Sequence, residues 1–444
     1  MDYNELTKKL VDNCLRLGAD AAEVYLQTSR NLSIRIRNAD IETIQEASTS
    51  GVGFRVIVDG KMGFSHSNDL SQRALDDTIS KAIAFAKLTT PDDSNVLPSD
   101  GGLTNVDNLF DPEIARISMD KKIEMALAIE DHAMKDPRIT HSSGSSFGES
   151  EREIFIANSN GISKSYKSSM CSVGVGVVAE KGDQRRTGGE YCSRRFFSDL
   201  MPLNEIAEKA SQKAWELLDP QMIRTQRAAV IFDATVVSSL LGGVIDAING
   251  ERVIQGASFL QNSMNQKFAS ALLTITDDGT LPKGIGSSPF DGEGVPTSKR
   301  VLVENGILKG FLYNTQVARR AGTESTGNAS RGGYTNLPGI GTHNIYLASG
   351  QYSKEQIVAE TQRGILLKGV TGYGINPVNG NFSGGATGFW IENGNIAHPV
   401  EGLAIAGSAS QILNGIDMMG NDLDINRSFA SPSFRIAEMQ IGGA

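Results

Sequence analysis

The chain has 444 residues, which is enough for about three domains of ordinary size. Apolar residues make up 39% of it and charged residues 21%, values that are typical of a folded globular protein and exclude extensive disorder. Because 51 acidic side chains outnumber 42 basic ones, the net charge is −9, which disfavours direct nucleic-acid binding through bulk charge.

Nothing in the sequence predicts export or membrane insertion. The first residues, MDYNELTKKLVDN, lack the basic and apolar regions of a secretory signal. No stretch approaches the ~18 consecutive apolar residues that cross a bilayer. The cysteines Cys14, Cys171 and Cys192 are too few for a disulfide framework, which favours a reducing compartment. We therefore expect a cytoplasmic protein.

Residues 1–95 are predicted to form a first unit of helices and antiparallel strands. Apolar spacing predicts a helix over residues 4–17, and a second helix covers about 71–88. Between them, strand-like alternation leads into a hairpin turn at Asp59-Gly60. A linker without periodicity follows this unit.

Residues 105–222 repeat this order, with predicted helices over 119–135 and 203–218 and strands around 153–157 and 171–178. Short matches support a duplication: Ile34 and Ile36 with Ile154 and Ile156, and Gly51-Val52-Gly53 with Gly174-Val175-Gly176. The alternative is that helix, meander and helix is simply a common arrangement.

Residues 227–444 differ from the rest of the chain in composition: 33 of the 48 glycines follow residue 226. Helices are predicted over 235–248 and from a capping box at Ser353, and hairpins around Asn305-Gly306 and Asn393-Gly394. The predicted fold class is α+β: two related N-terminal helix/antiparallel-sheet units, then a glycine-rich, mainly antiparallel β domain with a few helices.

Common catalytic motifs are missing. A zinc hydrolase usually carries two histidines a helical turn apart, but HExxH and HExxxH do not occur and no two histidines are three or four residues apart. The five histidines are His66, His132, His141, His343 and His398. Residues 144–148 formally match GxSxG, but strand-like alternation follows where that motif requires a helix, so chance is the preferred explanation.

Two glycine-rich features are candidates for ligand binding. The carboxylates Asp291, Glu293, Glu304 and Glu392 lie in glycine-rich segments, where exposed turn formers are commoner than an acid/base pair. Residues 371–400 place three aromatic side chains among glycines. This segment predicts either a cleft that takes an extended peptide by strand addition or tight hairpins with buried aromatics, and both interpretations stay open.

Four segments, in order along the chain, resemble the signatures of the TldD/PmbA family. They are SGVGFRVIVDGKMGFS, FDGEGVPTSKRVLVENGILKGFL, TGNASRGGY and NGNFSGGATGFWIENGNIAHPVEGLAIAG, which together span residues 50–407. The resemblance implies a cytoplasmic zinc metallopeptidase, built from two related subunits, that degrades or matures peptides. Members of the family have also been described as modulators of DNA gyrase.

The chain departs from the catalytic members of this family at both metal-binding segments. The helix that carries HExxxH in those members reads VVSSLLGGVIDAINGERV here, residues 236–253, and the chain end contains no cysteine. The sequence therefore resembles the PmbA (TldE) type, which lacks HExxxH. The resemblance implies no catalytic residue, metal ligand or cofactor in this chain, and zinc in a catalytic partner.

For function, the resemblance implies a non-catalytic, peptide-gripping or structural subunit that pairs with a homologous HExxxH-bearing chain or with itself. The alternatives are a stand-alone peptide-binding protein and a modulator of DNA gyrase that acts through protein contacts. Candidate peptide-binding or partner-binding residues are Asn328, Arg331, Asn381, Phe382, Ser383, Phe389, Trp390 and Glu392.

Overall fold

The computed structural model describes residues 2–372 and 374–443. Its N-terminal half consists of α1 (Tyr3–Arg16), β1 (Ala21–Arg37), β2 (Asp40–Val58), β3 (Lys61–Ser67), α2 (Gln72–Leu88), α3 (Met119–Met134), β4 (Ile139–Asn158), β5 (Ser163–Lys181), β6 (Gln184–Arg194) and α4 (Leu203–Trp215). The predicted helices are confirmed within a few residues. The strands β4 and β5 are much longer than their apolar cores indicated.

One antiparallel sheet of six strands, in the order β3-β2-β1-β4-β5-β6, runs through both predicted N-terminal units. All four helices pack on the same face of it: α1 and α2 cover the first three strands, and α3 and α4 cover the last three. The strands β1 and β4 pair antiparallel at the centre. The two halves are therefore related by an approximate two-fold axis between β1 and β4.

Two glycines identify equivalent positions in the two halves. A Cβ atom built on Gly63 of β3 would lie 2.0 Å from the carbonyl oxygen of Ala82 in α2. A Cβ atom built on Gly188 of β6 would lie 2.2 Å from the carbonyl oxygen of Ala210 in α4. In both halves an edge strand lies so close to its helix that only glycine fits, which supports the predicted duplication.

The equivalence of Gly63 and Gly188 changes which glycines of β2 and β5 correspond to each other. The strand partners of the two edge glycines are Val56 in β2 and Val177 in β5. Counting back three residues from each valine, Gly53 corresponds to Gly174. The predicted match of Gly51 with Gly174 is therefore wrong by two residues, although all three glycines lie on the face of the sheet away from the helices.

The predicted isoleucine match is also wrong. Ile34 and Ile36 face the helices and pack against α3. Ile154 and Ile156 lie on the opposite face, which contacts the C-terminal half. Because strand side chains alternate between faces, a match that is out by one residue pairs positions on opposite sides of the sheet.

The C-terminal half contains β7 (Gln226–Phe232), α5 (Val237–Ala247), α6 (Gly250–Ile254), β8 (Ile275–Asp278), β9 (Lys299–Glu304), β10 (Ile307–Leu308), α7 (Thr315–Ala321), β11 (Ala329–Ser330), β12 (Gly339–Ile340), β13 (Ile345–Leu347), α8 (Lys354–Ala359), β14 (Arg363–Thr371), β15 (Asn381–Glu392), β16 (Asn395–Ser408), α9 (Ala409–Asn414), β17 (Ile416–Met419), β18 (Phe429–Ala430) and β19 (Phe434–Gly442).

The main C-terminal sheet, in the order β16-β15-β14-β7-β19-β17, closes on itself because β16 also pairs with β19. It surrounds the largest apolar core of the protein together with α5 and a second sheet, β10-β9-β8-β13-β18. Most pairs are antiparallel, and β14–β7 and β13–β18 are parallel. The α+β fold class predicted from the sequence is confirmed.

Turn chemistry explains why the hairpins were visible in the sequence. Asp59-Gly60, Asn305-Gly306 and Asn393-Gly394 each have positive φ at both residues, as a two-residue hairpin turn requires. The capping box at Ser353 begins α8 as predicted. All three cysteines are free and buried. In the described ranges, every helix is too short or too polar to cross a bilayer.

Candidate functional site

The C-terminal half lies on the open face of the N-terminal sheet. Tyr25 of β1 and Ile156 of β4 pack there against Phe290 from the C-terminal half. Beside this apolar contact is a polar cavity of about 220 Å³, whose lining includes Asn328 and Arg331. Two of the residues predicted from the sequence are therefore at the junction of the two halves.

A chain of buried charges crosses this junction. Arg55 of β2 donates to Glu23 of β1 (2.6 Å) and to Glu293 of the C-terminal half (2.8 Å). Arg331 also donates to Glu23. The four side chains are at most 4% exposed, and negative and positive groups alternate across the junction. Each charge thus has an opposite neighbour, which buried ions require.

Asp291 organises the loop that brings Glu293 to the junction. Its Oδ1 accepts from the backbone N–H groups of Glu293 and Val295, and its Oδ2 accepts from the N–H of Ala329. Burial, and after it the neighbouring Glu293 carboxylate, raise the pKa of Asp291 to about 7. Burial opposes ionisation of Glu293 as well, but Arg55 and the N–H of Thr315 hold its pKa below the ordinary value.

Asn328 lies at the edge of the cavity, where its side chain is held by hydrogen bonds. Its side-chain amide donates to Asp277 Oδ2 (2.7 Å) and to the carbonyl oxygen of Gly341 (3.0 Å). His343 Nδ1 lies 3.1 Å from the same Asp277 oxygen. Among the residues that the structure describes, no serine or threonine hydroxyl bonds to this imidazole. Within these residues, the Asp–His pair therefore has no hydrogen-bonded hydroxyl that it could activate as a nucleophile.

The candidates on β15 lie in the main C-terminal sheet, whereas Asn328 and Arg331 flank the short strand β11, which belongs to another sheet. Phe382 and Trp390 are 3% and 2% exposed and belong to the C-terminal core. Phe389 is half-buried, whereas Asn381, Ser383 and Glu392 are exposed. Trp390 Nε1 donates to Glu392 (3.0 Å). The segment forms a hairpin with β16, and two of its three aromatic rings are core residues.

Sequence reasoning missed most of the buried charges. Glu304 and Glu392 are exposed, as turn formers would be, but Asp291 and Glu293 are 5% and 0% exposed. Glu23 and Arg55 were not singled out, because their partners are far away in sequence. The sequence did contain one signal: Glu23 and Arg55 are charged residues within the apolar strand segments AAEVYL and GFRVIV. In the structure both side chains point away from the helix-covered face.

Helix α5 does not fit a zinc site. It has no histidine or cysteine, and most of its side chains belong to the apolar core. A Cβ atom built on Gly243 would lie 1.5 Å from the carbonyl oxygen of Ile375. Within the described ranges, no three histidine, cysteine or acidic side chains are grouped so that they could hold a metal ion.

Comparison with known proteins agrees with this architecture along nearly the whole chain. Three family models match in order: PmbA/TldA metallopeptidase domain 1 over residues 22–86, the central domain over 112–218 and the C-terminal domain over 225–443. The metalloprotease PmbA of Escherichia coli O157:H7 is 31% identical, over 99% of this chain and 96% of that protein. A PmbA homologue of Haemophilus influenzae is 30% identical, over 98% and 94%.

Solved structures show the same fold. A protein of Bacteroides thetaiotaomicron, described as a candidate modulator of DNA gyrase, has a TM-score of 0.92 and 30% identity, with both chains covered completely. TldE of Thermococcus kodakarensis has a TM-score of 0.89 and 26% identity, over 98% of this chain and 99% of that one. Fold and sequence define a protein of the protease-related class. The chain belongs to the PmbA/TldD metallopeptidase family.

Proposed function

We propose that this chain is the non-catalytic subunit of a PmbA/TldD-type metallopeptidase. It holds peptide for a homologous subunit that carries HExxxH and zinc and performs the hydrolysis. The reaction acts on peptides that are degraded or matured in the cytoplasm. In this proposal, residues of this chain take no part in bond cleavage.

The composition and packing of α5 carry this proposal. In the catalytic members that the sequence resembles, this helix supplies two imidazoles and a carboxylate. Here it is an apolar core helix, and the backbone of Ile375 lies where a side chain at Gly243 would project. Any side chain larger than glycine at position 243 requires the backbone of residues 374–376 to move. A metal-activated water, if the complex uses one, therefore belongs to another chain.

The open face of the N-terminal sheet supports the peptide-holding role. Beyond its contact with the C-terminal half, this face carries a cavity of about 450 Å³, lined by serine and glycine together with charges of both signs. Small side chains leave backbone groups within reach of a bound chain. An acidic protein with such a face is better suited to a polypeptide than to nucleic acid.

Reconstitution tests the division of labour. The chain is purified from a host deleted for its own family members, mixed with a purified homologue that carries HExxxH, and assayed on an unstructured fluorogenic peptide. We expect cleavage by the mixture that exceeds cleavage by the homologue alone. Equal rates with and without this chain, together with no association in sedimentation velocity, contradict the proposal.

A matched pair of variants separates the two subunits in this assay. Glutamine in place of the HExxxH glutamate of the homologue is expected to abolish cleavage by the mixture. Alanine in place of His343, the imidazole at the cavity of this chain, is expected to leave the turnover rate of the mixture within about twofold. A His343 variant that still associates with the homologue, keeps the KM for the peptide and loses turnover as completely as the homologue variant places catalysis in this chain and overturns the proposal.

A further inference from the structure

Each half of the two-fold repeat has an equivalent row of strand partners on the face of the sheet away from the helices. The C-terminal half covers one of these rows, and the other is exposed to solvent. The covered row crosses four strands and consists of Ile156, Tyr25, Gly53 and His66, which are strand partners in that order. The open row, here called the Gly174 row, consists of Arg35, Ser146, Gly174 and Tyr191 on β1, β4, β5 and β6.

The covered row shows what this part of the sheet binds. The carbonyl oxygen of Tyr334 lies over Gly53, 2.3 Å from where a Cβ atom would be. The Tyr334 ring packs edge-on against His66, with 6.1 Å between the ring centroids. A segment of the C-terminal half thus lays its backbone on a glycine and its aromatic side chain beside the aromatic residue of the edge strand.

The Gly174 row has the same glycine and the same edge-strand aromatic position and is open to solvent, and Ser172 stands where Gly51 lies under the Tyr334 ring. Gly174 forms the floor of a cavity of about 450 Å³, and Gly144, Gly176 and Gly189 also line it. Tyr191, the counterpart of His66, is 69% exposed. The volume is within the range of peptide and small-molecule sites. Among the residues that the structure describes, no aromatic ring packs against Tyr191 as Tyr334 packs against His66.

Charge distinguishes the open row from the covered one. Where the covered row has Ile156, the Gly174 row has Arg35, which is exposed. Nearby, Arg37 lies 3.7 Å from Glu42, and Glu190 lies 2.6 Å from Lys213. In the described part of the chain, the Arg35 guanidinium has neither an ion-pair nor a hydrogen-bond partner. The row therefore presents one free positive charge at one end and one aromatic ring at the other.

We propose that the Gly174 row binds an extended peptide that places an aromatic side chain against Tyr191 and a carboxylate against Arg35. Three strand spacings separate these two residues, roughly 14 Å, which an extended chain covers in about four residues. The aromatic and acidic residues of the peptide are therefore about four positions apart. This inference rests on the proposed peptide-holding function and specifies the class of peptide.

Binding of a defined peptide tests this inference. The probe is acetyl-Gly-Tyr-Ser-Gly-Ser-Asp-Gly-amide, together with the same peptide in reverse order, titrated calorimetrically into the full chain at low salt. We expect at least one orientation to bind, and about tenfold weaker binding when the probe tyrosine is alanine or the aspartate is asparagine. Equal affinity for all of these probes overturns the inference.

Variants of the chain locate the site. Tyr191→Ala and Arg35→Glu each remove one contact at an exposed position and are expected to weaken binding about tenfold. Ser146→Phe fills the cavity and abolishes binding. The matched controls are Phe85→Ala and Arg73→Glu. Both replace exposed residues of α2, on the opposite face of the sheet, and are expected to leave the affinity unchanged. Circular dichroism checks that each variant is folded.

Two results separate this inference from the proposed function. If the probes do not bind but an unstructured casein peptide mixture does, the Gly174 row assignment is wrong and peptide holding survives. If Tyr191→Ala and Arg35→Glu change the sedimentation coefficient while no probe binds to the wild type, the row is an interface between subunits, and the peptide assignment is overturned.

Discussion

The carbonyl oxygen of Ile375 occupies the space into which a side chain at Gly243 would project. A Cβ atom built there lies 1.5 Å from that oxygen, whereas a Cβ atom on the preceding Gly242 has no neighbour within 4 Å. Of two adjacent glycines in one helix, Gly243 is thus packed against backbone and Gly242 has open space beside it. Packing of the 374–376 backbone against α5 therefore excludes side chains at one glycine and tolerates them at the other.

Alanine substitutions at these two glycines test that relationship. Gly243→Ala is expected to lower the free energy of unfolding by about 3 kcal/mol, because the methyl group forces the backbone of Ile375 away. Gly242→Ala is the control, and it is expected to raise stability by up to about 1 kcal/mol through helix propensity. Urea unfolding monitored by circular dichroism measures both. Equal stability of the two variants contradicts the packing described for α5.

The junction between the two halves depends on the buried carboxylate of Glu23. Glu23→Gln is expected to destabilise the protein by about 3–5 kcal/mol, because Arg55 and Arg331 lose the charge between them. Glu46→Gln, which removes the partner of Arg30 at a half-exposed position, is expected to cost less than about 1 kcal/mol. Differential scanning calorimetry of both variants measures the difference. A Glu23 variant as stable as the Glu46 variant shows that the charge chain does not hold the halves together.

Asp291 gives the junction a pH dependence of known sign. Because its pKa in the folded state is raised to about 7 from an ordinary 3.8, its contribution to stability is full below about pH 4 and is lost as the pH rises through 7. The stability difference between wild type and Asp291→Asn is therefore expected to shrink between pH 5 and pH 8, in urea titrations at each pH.

Asp233→Asn is the control for this pH series. Burial opposes ionisation of Asp233, but Lys368 and Lys354 outweigh it and lower its pKa to about 2. Its contribution is present above pH 4 and lost only as the pH falls towards 2. The effect of this substitution is therefore constant from pH 5 to pH 8. Parallel pH profiles for the two variants would show that Asp291 is ionised throughout that range.

Local rules made much of the fold predictable from the sequence. The helices α1, α2 and α3 follow from apolar spacing, and the hairpins from Asp-Gly and Asn-Gly turns with positive φ at both positions. Residues 139–152 of β4 were not predicted, because serine, glycine and charged residues dominate them. Their pairing with β1 and β5 determines the strand there, and this is long-range information.

The junction was less predictable, for the same reason. Arg55 and Glu293 are 238 residues apart, and no local pattern indicates that they meet. Asn328 and Arg331 were selected through the family resemblance, and they do lie at the junction. Phe382 and Trp390 were selected from the glycine-rich pattern of residues 371–400 as well as from the resemblance. Their rings belong to the core, because a glycine-rich strand can bury aromatic residues as readily as it can expose them.

The zinc content of the purified chain distinguishes a non-catalytic subunit from a metallopeptidase that acts alone. The chain, isolated without its homologue and dialysed against a zinc buffer, is analysed by inductively coupled plasma mass spectrometry and assayed on an unstructured peptide. We expect far less than one zinc per chain and no cleavage until the HExxxH-bearing homologue is added. One zinc per chain, accompanied by cleavage that a chelator abolishes, would contradict the proposed non-catalytic role.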